Sequence, residues 1–435
     1  MDSNRSLKIR SGPLVMRIVS SVSAIFSLVL LMPFSSPAAS ITGDSNTYLQ
    51  SRETADGQKI LGAYEYLDFA IQNLGNESIS FHTGGWLRYD LKGEEFDKKT
   101  TDDLQYSYLS FKSKTDNAIV NLGRVMVFEG VAAERVDGLY ARTDLKGNFG
   151  ISAFGGVPVE TEINEPGNNL IYGAHLTHQM PGLYRIGLSY LKEEKNSADF
   201  RKEEGLDIWV HPINKVDIVG RSNYNAITKG WMDNTYNLVL GPFANLRFTT
   251  EASWINYKDY FTGATSPVFS LQSGILDPNE KVRILGEDVA YALTDKVNIG
   301  VAYKTYDYEV SGSAKSYGGS IRYAVASQGG AGLSLRRMDG DSDRLKYTEY
   351  RVYGYKKIDK IDLAVDLLDV DYDNPINGVS NAYSASIAGQ YDLTERWKLG
   401  ADVEYQKNPD FNKDVRLFLK AIYHFDIGSG TGKGA

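Results

Sequence analysis

Alternation of apolar and polar residues at a period of two constrains this chain more than any other feature. It is cleanest near the C-terminus. Over 397–406, Trp397, Leu399, Ala401, Val403 and Tyr405 oppose Lys398, Gly400, Asp402, Glu404 and Gln406. Over 415–425, Val415, Leu417, Leu419, Ala421, Tyr423 and Phe425 oppose Arg416, Phe418, Lys420, Ile422 and His424. Segments 184–190, 246–254 and 297–304 repeat the pattern. Successive side chains of a strand point to opposite faces, so these segments are strands with one apolar and one polar face. No helical period emerges after residue 40, and the chain reads as all-β.

Tight-turn sequences punctuate the strands about every 32 residues: TDNA from 115, KGN from 146, MPG from 180, INK from 213, GPF from 241, TDK from 294, QGG from 328, IDK from 358 and TER from 394. Such an interval holds two strands, a tight turn and a modest loop. Strands of about 9–11 residues suit a tilted bilayer crossing. Longer polar stretches, such as 91–103 and 192–204, lie between the turns. Tight turns alternating with longer loops are the asymmetry of a membrane barrel. With a tenth turn at 73–78, a weakly patterned first strand at 46–53 and a last strand ending at Phe425, the expectation is an antiparallel up-and-down transmembrane β-barrel over 41–425, of about 22 strands, with 18 or 20 as the alternatives. A soluble sandwich also alternates but does not sustain so many strands of similar length. No residue-level repeat suggests a solenoid.

Composition agrees. Of 435 residues, 42% are hydrophobic, and mean hydropathy is −0.32, which excludes a bundle of membrane-spanning helices. Aromatics at 12% supply more apolar material than a disordered chain carries. The absence of cysteine excludes disulfides, thiolate metal sites and covalent c-type haem. A formal charge of −8 gives no reason to expect nucleic acid. A barrel with a polar interior is only half apolar along each strand, so low hydropathy fits it. The 42 glycines suit a curved wall and the 29 tyrosines suit interfacial girdles, as with Trp397 and Tyr405 at opposite ends of one outward face.

The N-terminus carries Arg5, Lys8, Arg10 and Arg17, then an apolar run over 18–34, then the small residues of 35–40. This is the layout of a secretory signal peptide over 1–40, with cleavage after Ser40 or Ala38. The small-residue exit favours cleavage over a retained anchor. The remaining 43 basic and 54 acidic residues make the mature chain acidic. Residues 426–435 form a short periplasmic tail.

At this point the sequence resembles a Gram-negative outer-membrane porin. The final strand carries the likeness: Leu417, Leu419, Ala421 and Tyr423 lead to the aromatic Phe425, the pattern resembling the signal read by the barrel-assembly machinery. The tail after Phe425 departs from it. The resemblance implies outer-membrane lipid, lipopolysaccharide and that machinery as partners. Segment 121–145 is similar to one in channel proteins of metal-reducing bacteria, some of which sheathe multihaem cytochromes. That implies a possible cytochrome partner, on which the haems would have to arrive.

Parity assigns Arg185, Arg221, Arg247, Lys304, Arg322, Arg336, Arg351, Lys398, Arg416 and Lys420 inward, with Asp217, Asp233, Glu251, Glu349, Asp362, Asp366, Asp402 and Glu404. A mixed lining favours a water-filled pore of modest ion selectivity. A charged loop at 127–137, with Glu129, Glu134, Arg135 and Asp137 and with Arg124 and Arg142 on flanking strands, is one candidate constriction; solvated external charges are the alternative. The long loop 257–281 is the rival, as a partial plug. His175 and His178, three apart on a strand, face opposite ways and make no metal pair. Asp339, Asp341 and Asp343 begin a calcium-loop spacing, but Arg344 and Tyr350 occupy its glycine and glutamate positions. No G-x-S-x-G occurs, so no enzyme, cofactor or metal is expected.

Overall fold

A computed structural model of the chain describes residues 39–53, 59–74, 77–92, 99–159, 169–261, 279–325, 328–410 and 413–428. They form one sheet of 22 antiparallel strands, each hydrogen-bonded to its neighbours in chain order. The first eleven are β1 (Ser40–Glu53), β2 (Lys59–Gln72), β3 (Ile79–Asp90), β4 (Thr100–Lys112), β5 (Ala118–Glu129), β6 (Ala132–Leu145), β7 (Phe149–Pro158), β8 (Asn169–Met180), β9 (Tyr184–Lys195), β10 (Ala198–Ile213) and β11 (Val216–Asn225). The remainder are β12 (Gly230–Phe243), β13 (Leu246–Asn256), β14 (Lys281–Ala292), β15 (Val297–Tyr308), β16 (Gly312–Val325), β17 (Gly329–Gly340), β18 (Tyr347–Ile358), β19 (Ile361–Ile376), β20 (Val379–Asp392), β21 (Trp397–Lys407) and β22 (Asp414–Ile427). A short helix, α1 (Tyr257–Phe261), follows β13.

Strand β1 closes on β22, from Ile41 opposite Ile427 to Ser51 opposite Leu417. A closed sheet has no edge, so its backbone ladder is satisfied within the wall, the condition for crossing hydrocarbon. Closure also explains why the first and last strands run past the limits read from the sequence. The ladder carries β1 back to Ser40 and β22 on to Ile427. Of the expected signal peptide (1–40) and tail (426–435), residues 1–38 and 429–435 lie outside the described residues.

The start of β1 and the end of β22 sit at the rim that carries tight turns such as 146–148, 181–183 and 359–360. The opposite rim is mixed. It holds the long 257–280 connection but also the two-residue turns Asn196–Ser197 and Asn377–Gly378. Asn377 (φ 51°) and Gly378 (φ 79°) are both left-handed, as a two-residue hairpin turn of type I′ requires. Segment 192–204, expected to be a polar loop, is strand on both sides of Asn196–Ser197. Its charges are matched along and across the ladder, with Lys192 2.7 Å from Glu194 on its own strand and 2.9 Å from Asp199 on β10.

Register separates two faces. Ile299, Ile321, Leu333, Val352 and Leu367 lie directly opposite one another on successive strands, and all are exposed. Val365, Ile387, Val403 and Leu417 continue the belt. Such a belt would drive aggregation in water and is what hydrocarbon requires. Leu417, Leu419, Ala421, Tyr423 and Phe425 of β22 lie on it. Aromatic side chains edge it: Trp397, Tyr423 and Phe425 are in contact near the turn rim, and Trp231 and Trp254 stand near the other. Carboxylates interrupt the belt, Glu287 of β14 among them. Glu65, near the middle of β2, accepts hydrogen bonds from the hydroxyls of Ser45 and Thr47, both at 2.6 Å.

Candidate functional site

The opposite face is concave and polar. Arg247, Arg322, Arg336, Glu349, Arg351, Asp366, Asp402 and Glu404 share the lining of one cavity of about 940 Å³ that runs from β13 to β21. Asp402 and Lys420 border a second, of about 620 Å³. Arg185 and Arg221 border a third, of about 540 Å³. Register places Asp217, Asp233, Glu251, Lys304, Asp362, Lys398 and Arg416 on this same face.

The charges are largely matched by neighbours. Arg351 meets Asp366, Arg221 lies 3.2 Å from Asp233, and Arg416 lies 2.7 Å from Asp414 and 3.7 Å from Glu404. Arg336 lies 3.8 Å from Glu349, and Lys398 lies 3.8 Å from Asp392. Lys304 reaches across β14 to Glu251 at 2.6 Å. It passes over Gly286, where a Cβ would come within 3.1 Å of the lysine stem. Solvated pairs of this kind contribute at most about 1 kcal/mol each to stability. Their larger effect is to mix the sign of charge along the wall.

Segment 127–137 is not a loop. β5 and β6 pair without a break from Ala118–Thr143 to Glu129–Ala132, so the segment is the end of a hairpin. Its partners on the wall stop earlier. β4 leaves β5 at Arg124, and the β6–β7 ladder ends at Val136. Beyond those points the ribbon turns inward. Val125, Val127, Ala132 and Val136 press onto Phe154, Ile171 and Leu191 of β7, β8 and β9, all fully or nearly buried. Val125–Glu129 spans roughly 17 Å at strand rise, enough to cross three or four strands. The tip therefore reaches the middle of the wall. The Val131 amide donates to Ser189 Oγ at 3.1 Å, and Gly130 (φ 58°) sits so close that a Cβ would meet Ser189 Cβ at 2.2 Å.

Ion pairs and hydrogen bonds hold the ribbon there. His175 stands between two carboxylates, with Nδ1 2.9 Å from Glu129 and Nε2 2.9 Å from Asp207. The Tyr140 hydroxyl donates to Glu129 at 2.6 Å. Arg201 binds Glu134 on the hairpin at 2.7 Å and Glu203 on the wall at 2.9 Å. Arg124 forks onto Asp137 at 2.7 and 2.9 Å and donates to the Leu104 carbonyl at 3.0 Å. Arg135 meets Asp103 at 2.5 Å. Arg142 stays lower on β6, 3.9 Å from Asp144. The inward turn also inverts the use of parity. Met126 and Phe128 belong to the outward register, yet on the bent ribbon Phe128 is 70% exposed and lines the cavity with Arg185, Trp209 and Arg221.

The rival segment begins similarly. Helix α1 tucks against β11 and β12, where Asn225 Nδ2 donates to the Asp259 carbonyl at 2.7 Å and Tyr260 bonds Asp233. Residues 262–278 lie outside the described residues. His175 and His178 fall on opposite faces. Among the described residues no cluster of three or more metal-ligating side chains occurs.

No family model matches the chain, and no curated protein matches it. Solved structures do. The ferric enterobactin receptor mutant (Q482A) from Pseudomonas aeruginosa, in complex with enterobactin, is 10% identical and superposes with a TM-score of 0.56 over 88% of this chain and 81% of that one. The siderophore receptor PirA from the same organism gives 0.55 at 10% identity over 88% and 80%. The P pilus usher (PapC) translocation pore gives 0.50 at 8% identity over 88% and 99%.

The fold is that of an outer-membrane β-barrel. The inner face of this barrel also carries aromatic side chains. Tyr48, Tyr66, Trp86 and Phe418 face inward on β1, β2, β3 and β22, with centroids 5.0 Å apart for Tyr48–Phe418, 5.5 Å for Tyr48–Tyr66 and 6.5 Å for Tyr66–Trp86. The signal is the shared parity of 64 and 66 and that of 86 on their strands, hidden because tyrosine and tryptophan have a ready assignment to the outer girdles.

Proposed function

We infer that the protein is an outer-membrane channel through which small hydrophilic solutes and ions diffuse passively. The observation that carries this reading is the cavity of about 940 Å³, walled by charged and small polar side chains on the inner face of a closed barrel. A wall of that kind solvates permeants and requires no covalent chemistry. The paired arginines and carboxylates keep the field along the wall weak, so the channel discriminates little between anions and cations. The inward hairpin of β5 and β6 narrows the path beside β8–β10. The signal-peptide layout of the N-terminal segment and the terminal pattern of β22 support an outer-membrane location.

Selectivity tests the reading. Under a KCl gradient the reversal potential of the reconstituted protein is expected near zero. The triple substitution Arg322→Gln, Arg336→Gln and Arg351→Gln is expected to shift it clearly toward cations, because it leaves Glu349 and Asp366 uncompensated. A strongly selective parent channel, or no shift in the variant, counts against the reading. A barrel that sheathed a multihaem cytochrome would behave differently: it would bring a haem protein with it through mild-detergent purification.

A further inference from the structure

The inner wall is not uniform. Where β13–β21 carry charges, the sector made by β22 and β1–β4 carries rings. Tyr48, Tyr66, Tyr106 and Phe418 surround a cleft of about 500 Å³, within the range of small-molecule sites. Tyr48 and Phe418 lie nearly parallel, 24° apart, while Tyr66 stands edge-on to Tyr48 at 72°. The result is a shelf with a side wall. Glycine sets part of this shape. Tyr106 lies across the position where a Cβ on Gly84 would be, 2.6 Å from the ring, so its flat face can rest on the wall.

Amides are interleaved with the rings. Asn46 and Gln50 flank Tyr48 on the same face of β1, and both line the cleft. Gln105 joins them by a different device. The β3–β4 register slips between Gly84 and Gly85, with Tyr106 and Leu104 as their partners, so Gln105 is the extra residue of a bulge. Bulges re-aim side chains, and this one adds a third amide to the cleft. Among the described residues, Asp68 is the only ionisable group lining it other than the tyrosines.

We propose that this cleft binds saccharides, as a subsite for neutral oligosaccharides on their way through the channel. Rings present apolar faces to the C–H face of a sugar ring, and each amide offers both a donor and an acceptor to the hydroxyls around it. A charged solute finds its counter-ions in the other sector. A purely aromatic solute would cover the amides without bonding them, which costs free energy. The inference names a substrate class for the channel inferred above and rests on that reading. Its test does not depend on conduction.

The measurement is isothermal titration calorimetry of the mature protein in micelles of a detergent without a sugar head group, with maltohexaose as the probe. Saturable binding is expected. Tyr48→Ala with Phe418→Ala should weaken it at least about tenfold, equivalent to ~1.4 kcal/mol. Tyr48→Phe with Tyr66→Phe should hold it nearly unchanged, because the ring faces remain. Should the alanine variant fail to fold, Gln105→Leu, at a bulge position, replaces it and should weaken binding likewise. No binding by the parent protein overturns the proposal, as does equal binding by the folded alanine or Gln105→Leu variant, or binding of benzoate in place of maltohexaose. A protein that conducts ions but binds no maltohexaose removes this inference and leaves the channel. One that binds it and does not conduct removes the channel and leaves the site.

Discussion

Removing the inward tip of the β5–β6 hairpin is expected to raise single-channel conductance several-fold. The cut is made by replacing Val125–Val136 with an Asn-Gly turn between Arg124 and Asp137, which already face each other across the ladder. Both wall contacts end at these points, with β4–β5 pairing stopping at Arg124 and β6–β7 pairing at Val136. The deletion removes the Val136–Pro158 pair and the bond from the Val159 amide to the Arg135 carbonyl, and leaves the rest of the barrel ladder. What is lost is the ribbon that covers Phe154, Ile171 and Leu191 at mid-wall. A smaller change reaches a related state. Gly130→Ala places a methyl 2.2 Å from Ser189 Cβ in a left-handed turn, so the tip must lift from the wall. Gly182→Ala is the control. That glycine is also left-handed (φ 75°), but a Cβ there meets nothing within 4 Å. Raised conductance in the deletion and in Gly130→Ala, with none in Gly182→Ala, is the expected pattern. An unchanged deletion variant would mean that the hairpin does not narrow the path.

Two adjacent arginine substitutions on β15 are expected to have very unequal costs. Val301 lies near the middle of its strand on the apolar belt, opposite Val289. Arginine there must bury its charge in hydrocarbon or pull the wall out of place, at about 2–4 kcal/mol near the bilayer midplane. Ala302, the next residue, faces the lumen opposite Asp288 and Gly318. Arginine at 302 has water and the Asp288 carboxylate, and should cost less than about 1 kcal/mol. Urea unfolding of the barrel in lipid vesicles reads both. Equal destabilisation would show that parity does not separate lipid from lumen.

That parity was the most legible part of the chain. A period of two is a local property, so β21 and β22 could be read residue by residue, and the turns counted from their own sequences gave 22 strands. What stayed hidden depends on contacts between distant segments. The charges of 192–204 read as a loop because Lys192–Asp199 pairing is visible only once the strands are adjacent. The hairpin charges were noticed, but Glu129 and Glu134 have partners in His175 and Arg201, far away in the chain. Nothing local distinguishes a charged loop from a ribbon held by those partners. Phe128 shows the limit most sharply. Its register assigns it to lipid, and the bend of the ribbon carries it into the lumen. The bulge that adds Gln105 to the aromatic cleft is likewise a property of two strands together.

The account stands or falls on whether hydrophilic solutes pass through the barrel. The direct measurement is osmotic swelling of liposomes that carry the purified mature protein, with neutral solutes of increasing size. The account predicts rapid swelling with the smallest solutes, a graded fall with size, and a higher size limit in the hairpin deletion. Swelling no faster than that of protein-free liposomes, for every solute and in both proteins, would contradict it.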